Sequence, residues 1–259
     1  MPNAIESATC EDSVVSSGDA QRAVSLGTSH FVEANEKVRE ALREVDAVTL
    51  NDVFAQRYLG CAMPAGKSLI VNGVPGTDMA CSMDGGYIEV FGNAQDQIGN
   101  TMNDGTVVVH GRCGDAAGYA MRGGAIFVRD DAGWRTGINM KQYKDKRPVI
   151  VIGGDAGSFL GEYMAGGIIL LMGHAGEHIA TGMHGGVIYL GNELPADQVP
   201  EGLVQEPLSE EDVAVVEGLL GQYRERFPEK KEAPEPSEAS KFCRLRPATS
   251  RPYASMYAN

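Results

Sequence analysis

Three histidines fall within GHAGEHIATGMHGG: His174, His178 and His184. On a helix, the i, i+4 spacing of the first two would place both imidazoles on one face and suit a zinc-type site. In so glycine-rich a stretch no helix is expected, and exposed or hydrogen-bonded histidines are the expected state. Asp96 and Asp115 stand nineteen positions apart, with Trp134 in the same column. Paired carboxylates of this kind hydrolyse glycosidic bonds when they face each other across a cleft, and otherwise form an exposed corner ladder. The stretch VIVIGGDAGSFLGEYMAGG, residues 149–167, runs from β-branched residues into glycines, as a phosphate-cradling βαβ unit does. The cysteines, Cys10, Cys61, Cys81, Cys113 and Cys243, include no C-x-x-C pair. They spell out neither a disulfide framework nor a four-thiolate zinc or iron–sulfur site, so reduced thiols in a cytosol are expected.

The elements that must carry these residues are set by a repeat. Met83, Met102, Met121 and Met140 recur at every nineteenth position, and Met164 and Met183 keep the same spacing. The single break, a step of twenty-four from Met140 to Met164, marks a five-residue insertion within MKQYKDKRPVIVIGG, and Pro64 is assigned to the same column one period earlier. The pattern around the markers is M-x-G-G, a short apolar run, then G-x-x-G-x-x-x-G, with the usual glycine pair replaced by the basic, polar insertion after Met140 and by MNDG at Met102. The glycine pieces are GVPGTDMA, GNAQDQIG, GRCGDAAG, DDAGWRTG, GDAGSFLG and GHAGEHIA. The runs are SLIVN, YIEVF, TVVVH, AIFVR, PVIVIG, IILLM and VIYL. Of the 33 glycines, 28 lie between Gly60 and Gly191, so composition follows the same register.

This period removes the βαβ reading. A crossover unit needs about 30 residues with a helix between its strands, yet six residues separate Gly161 from Ile168. A nineteen-residue repeat of short strands and glycine corners predicts an all-β chain: a single-stranded right-handed parallel β-helix of about seven coils with short flanking helices. Coils stacked at the strand spacing would make a rod roughly 30 Å long. The methionines are then an interior ladder.

The flanks divide the rest. Residues 1–29 are expected to be an extended or disordered N-terminus, 30–46 a capping helix, 47–192 the β-helix and 193–227 a C-terminal capping helix region. Ser209 and Asp212 form its capping-box-like start. Residues 228–241, Pro- and Glu-rich, read as a linker, and 242–259 as a docking tail with aromatic and basic anchors.

Composition narrows function. A hydrophobic fraction of 43% and a charged fraction of 22% fit a soluble globular protein, and no apolar run suits a membrane span. The start of the chain has no signal-peptide pattern, so a cytoplasmic location is expected. A net charge of −13 opposes nucleic-acid and anionic-membrane partners.

With six such coils in hand, the chain resembles the C-terminal GXGXG β-helix domain of the glutamate synthase large subunit. The stretches QRYLG, GNAQDQIGNTMNDG, GDAAGYAMRGG, NMKQY, GSFLGEYMAGG and the terminal RPY make it more similar to stand-alone chains carrying that domain in split glutamate synthases and N-methylglutamate synthases. The C subunit of formylmethanofuran dehydrogenase is a more distant likeness. The resemblance covers roughly residues 46–192 and the tail. It implies nitrogen metabolism and glutamate biosynthesis, with a class II amidotransferase subunit releasing ammonia and an FMN and iron–sulfur synthase subunit reducing 2-iminoglutarate. The β-helix would hold the two together as a non-catalytic part of an oxidoreductase complex. FMN and the cluster belong to the partner, and no catalytic, cofactor-binding or metal residue carries over: Pro2 leaves no processed N-terminal Cys nucleophile, and the cysteines are too dispersed for the cluster. Docking of the partners is assigned to the basic insertion, Lys141, Tyr143, Lys144, Lys146 and Arg147, together with Arg251, Tyr253 and Tyr257 of the tail. From another class, a β-helix enzyme or binding protein for an extended substrate such as a polysaccharide is the alternative.

Overall fold

The computed structural model describes residues 21–229 and 238–249. Nine parallel strands stack in one sheet: β1 (Gln21–Ser25), β2 (Ala47–Phe54), β3 (Ser68–Val74), β4 (Asp84–Phe91), β5 (Asp104–Val109), β6 (Ala125–Val128), β7 (Val149–Ile152), β8 (Ala165–Leu171) and β9 (Gly185–Leu190). Each strand pairs with the next in the chain, which makes the molecule a parallel β-helix. From β3 to β9 the pairing follows the repeat, Ser68 meeting Tyr87 and Thr106 meeting Ala125, except across the insertion, where Ala125 pairs with Val149. Nine strands enclose eight turns, one more than the repeat count, because β1 begins a turn that departs from the repeat pattern.

That first turn carries helix α1 (Phe31–Glu44), opened by the His30 side chain accepting from the Val32 N–H. Ala34, Val38 and Ala41, at helical spacing, are buried and join the interior core, so α1 covers the end of the solenoid beside its first corner.

The interior is built from columns. Val48, Leu69, Ile88, Val107, Ile126, Ile150, Ile169 and Ile188 point inward at matched registers, as do Leu50, Val71, Val90, Val109, Val128, Ile152, Leu171 and Leu190. The methionine column is buried throughout, but its first member is Met63 rather than Pro64. Pro64 bridges Asp84, because the first corner holds one more residue before its strand than the later ones do. Methionine methyls lie against the last glycine before the following coil's apolar run, Met102 against Gly124 and Met140 against Gly167, which explains why M-x-G-G recurs as a unit.

Opposite the sheet, the corners place alternate residues in the left-handed region, for example Gln97, Gly99 and Thr101, then Ala116, Gly118 and Ala120. Their N–H groups alternate in direction: Gln97 and Thr101 donate forward to Asp115 and Tyr119 carbonyls, whereas Gly99 donates back to Met79. Both neighbouring coils therefore satisfy the corner backbone. The middle position needs glycine doubly at Gly118, whose φ of +68° coincides with a close approach by Ile150 Cδ1 from a following coil.

Beyond β9 the chain adds β10 (Leu203–Pro207), helix α2 (Glu210–Arg226) and β11 (Cys243–Pro247). The box is real: Ser209 Oγ accepts from the Asp212 N–H at 3.2 Å while Asp212 accepts from the Ser209 N–H at 2.9 Å. Two expectations change here. α2 does not cap the end. It lies on the outer face of the sheet, packing Val216, Leu219, Leu220, Tyr223 and Phe227 against Val108, Phe127, Val151, Leu170 and Tyr189. The beginning of the supposed docking tail is structural, since β11 pairs antiparallel with β9 and with β10, and its Cys243 and Leu245, with Leu203, close the interior core. A strand edge and an open core are more strongly satisfied by these apolar residues than by solvent. Within the expected linker, residues 230–237 lie outside the described part, and Ala239 packs under α2.

Candidate functional site

The residues capable of chemistry are, for the most part, committed to holding coils together. Asp96 Oδ1 accepts from the Asp115 N–H at 2.9 Å, and Asp115 Oδ1 accepts from the Trp134 N–H at 2.8 Å. A second column behaves alike: Asn93 accepts from the Arg112 N–H, Asp131 from Asp155 and Asp155 from His174. Each Asx side chain reaches over the glycine just before its donor, so a Cβ on Gly114, Gly133, Gly154 or Gly173 would collide with a carboxylate of the preceding coil. The first two glycines of G-x-x-G-x-x-x-G thus serve close approach, not positive φ, in these coils. The paired carboxylates are an exposed ladder whose lone pairs serve the backbone, not an acid/base pair across a cleft.

The histidine triplet does not converge. His174 Nδ1 faces Asp155 at 3.3 Å, His178 stacks on Phe159 with centroids 5.0 Å apart, and His184 Nδ1 contacts the Gly182 carbonyl. Among the described residues no group of three or more His, Cys, Asp or Glu is placed to hold a metal ion. Cys61, Cys81, Cys113 and Cys243 are free thiols, and burial pushes Cys113 up to about 12 and Cys243 to about 11, so neither is a ready nucleophile.

The insertion projects at a corner. Lys141, Tyr143 and Lys144 are exposed, with Lys144 Nζ 5.3 Å from the Tyr143 ring centroid, and the Tyr143 and Lys146 backbones pair to close the loop. Lys146 is spent: its Nζ bonds Asp104 at 2.8 Å and lies 3.7 Å from Asp84, pinning the loop to two earlier coils and raising its pKa chiefly through the Asp104 bond. Arg147 is half-buried. Arg251, Tyr253 and Tyr257 lie outside the described residues. The basic residues nearer the start of the tail are consumed in the fold, Arg244 on Glu206 and Asp212, and Arg246 on Glu206.

Two arrangements escaped the reading of the sequence. At the end of α2, His110 is held between carboxylates, Nε2 at 2.8 Å from Glu89 and Nδ1 at 2.9 Å from Glu229, with its ring stacked on Phe91 and edged by Phe227. Burial lowers the imidazole pKa, but the two carboxylate bonds outweigh it and the net shift is upward. The only signal in sequence was that His110 and Glu89 share outward-facing positions near the ends of neighbouring strands; Glu229 joins them only through the packing of α2. Rings also meet along one corner: exposed Trp134 lies beside part-exposed Phe159 with centroids 6.5 Å apart, and Arg135 sits over Phe159 at 5.0 Å.

No helix among the described residues is long and apolar enough to cross a membrane. An uncharacterized protein of Methanocaldococcus jannaschii, MJ1350, is 44% identical over 243 residues, covering 88% of this chain and 93% of that protein. The GXGXG motif family matches residues 16–234, the stretch that holds the whole parallel solenoid and α2, and the chain belongs to that family.

Proposed function

We propose that the chain is a non-catalytic scaffold subunit of a glutamate-synthase-like assembly in the cytoplasm, joining a glutamine amidotransferase subunit to an FMN and iron–sulfur synthase subunit that makes glutamate or N-methylglutamate. Family membership supports it, since GXGXG domains occur in glutamate synthase. The observation that carries it is the commitment of the repeated carboxylates to inter-coil backbone bonds, which makes a stiff rod and leaves the outer edges for docking. Lys141, Tyr143 and Lys144 are the accessible part of the basic loop, and Tyr is favoured at interface anchors. Co-expression with the two candidate subunits should give a ternary complex on size exclusion, with glutaminase and flavin signals in the partners alone. A chain that elutes by itself under low salt in the presence of both subunits would end this reading.

The row of exposed Trp134, part-exposed Phe159 and exposed His178 favours a second one, a binding protein for an extended substrate, because rings spaced along a rod suit sugar faces. Binding of a soluble oligosaccharide that is lost in Trp134→Ala would support it over the scaffold.

A further inference from the structure

Between α1 and the first corner of the solenoid is a cavity of about 420 Å³. Its walls are apolar, with Val38 and Leu42 from α1 facing Met63 and Pro64 of the corner. Its polar groups divide into spent and unspent. The Asn35 amide donates to the Phe31 and Arg57 carbonyls, and Lys67 Nζ is held by Asp46 at 2.6 Å and the Val45 carbonyl at 3.3 Å. Arg39 and Arg43 also line it, both exposed, and among the described residues neither has an ion pair. They are an i, i+4 pair on one helix face, where two like charges repel mildly unless an anion bridges them. Unpaired guanidiniums over an apolar trough are unusual on a chain of net charge −13.

Size decides the class of occupant. Eleven residues line the cavity, against about 20–30 a side in a stable protein interface, whereas its volume falls in the range of small-ligand pockets, roughly 300–1,000 Å³. From Asn35 to Arg43 the trough follows about 12 Å of helix at 1.5 Å per residue. We propose that this cavity binds a small amphipathic carboxylate, its chain lying on Val38, Leu42, Met63 and Pro64 and its carboxylate held by the Arg39 and Arg43 guanidiniums. Planar forks that accept a carboxylate two-fold favour this anion over a bare apolar ligand. The proposal stands independently of the scaffold reading.

The probe is decanoate, kept below its micellar concentration, titrated into the full chain by calorimetry, with decan-1-ol and acetate as partners lacking the charge or the chain. One site is expected, with each control about tenfold weaker or more, as loss of a charge-assisted bond or of apolar contact implies. Arg39→Gln with Arg43→Gln should lose decanoate binding by about the same factor while leaving decan-1-ol unchanged. Cys61 also lines the cavity, so decanoate should slow its alkylation in the unaltered protein, read on the Cys61 peptide by mass spectrometry. That arm decides the matter if the double variant fails to fold. Equal binding of decanoate and decan-1-ol, an undiminished affinity in the double variant, or an unmoved Cys61 rate overturns the proposal.

Discussion

On the half of the sheet under α2, the central outward-facing column reads Val108, Phe127, Val151, Leu170 and Tyr189, all buried; on the open half, which no helix among the described residues covers, the same column reads Thr49, Ile70 and Glu89, all part-exposed. Interior columns do not differ between the halves, because the methionines and β-branched residues are buried from Val48 to Leu190. The coils therefore stack by one rule along the rod, and the outer face alone records what lies on it. Burying an apolar side chain there is worth about 1.5–3 kcal/mol each, so the helix is held by surface that β5 to β9 provide, with Tyr87 of β4 at its margin. At the border, His110 adds ionic contacts with Glu89 and Glu229 to its ring contacts with Phe91 and Phe227, and Phe91 beside it is 49% exposed.

The most severe break should come from ending the chain after Lys241. This deletes β11 with buried Phe242, Cys243 and Leu245, uncovering the β9 edge and part of the packing under α2. A loss on the order of 5 kcal/mol is expected from three such side chains, read by urea denaturation; an unaltered midpoint would restore the tail to the status of a dispensable appendage. Next, Phe127→Ala should cost about 3–5 kcal/mol, while Ile70→Ala, at the matching position of the open half, should cost about 1 kcal/mol. Equal losses would mean that the open half is covered in solution. Gly157→Val tests the stacking shared by both halves: its φ is not left-handed, but a Cβ would press on Trp134 N and the Gly133 carbonyl carbon, and a loss of about 2–4 kcal/mol is expected. A melting curve like the parent's would refute that packing.

The smallest effect belongs to the border. The His110 pKa is raised above the unfolded value of about 6.5, so its contribution is complete below that pH and is lost as pH rises through the folded value. Glu229 moves the other way: burial pushes it up, but its bonds to His110 and Arg129 outweigh burial, and its contribution, present above the unfolded value of about 4.3, is lost as pH falls through the lowered folded pKa. Stability should therefore decline from mildly acidic to alkaline pH, and His110→Gln should flatten that decline in denaturation curves. A slope unchanged in the variant would assign it to other groups.

Repetition made the solenoid legible. A nineteen-residue period in methionine and glycine can be satisfied only by equivalent residues meeting equivalent residues, so register, interior columns and the five-residue insertion all followed from spacing. The first strand and the Met63 register escaped because one extra residue in the first corner shifts the period there, and α1 displaces it altogether. Spacing marks the glycine corners as places where backbone comes close, and only the fold shows that Asx side chains of the preceding coil also occupy the space there. Runs such as TVVVH, PVIVIG and IILLM are apolar on both faces and YIEVF is not, a signal of the cover on that half of the sheet that the expectation of an end cap did not use. What supplied the cover, where β11 closes the core, and how Arg39 and Arg43 come to overlook a cavity were decided by tertiary structure. These contacts join segments with no shared period, and a one-dimensional repeat constrains only residues that stack on their own kind.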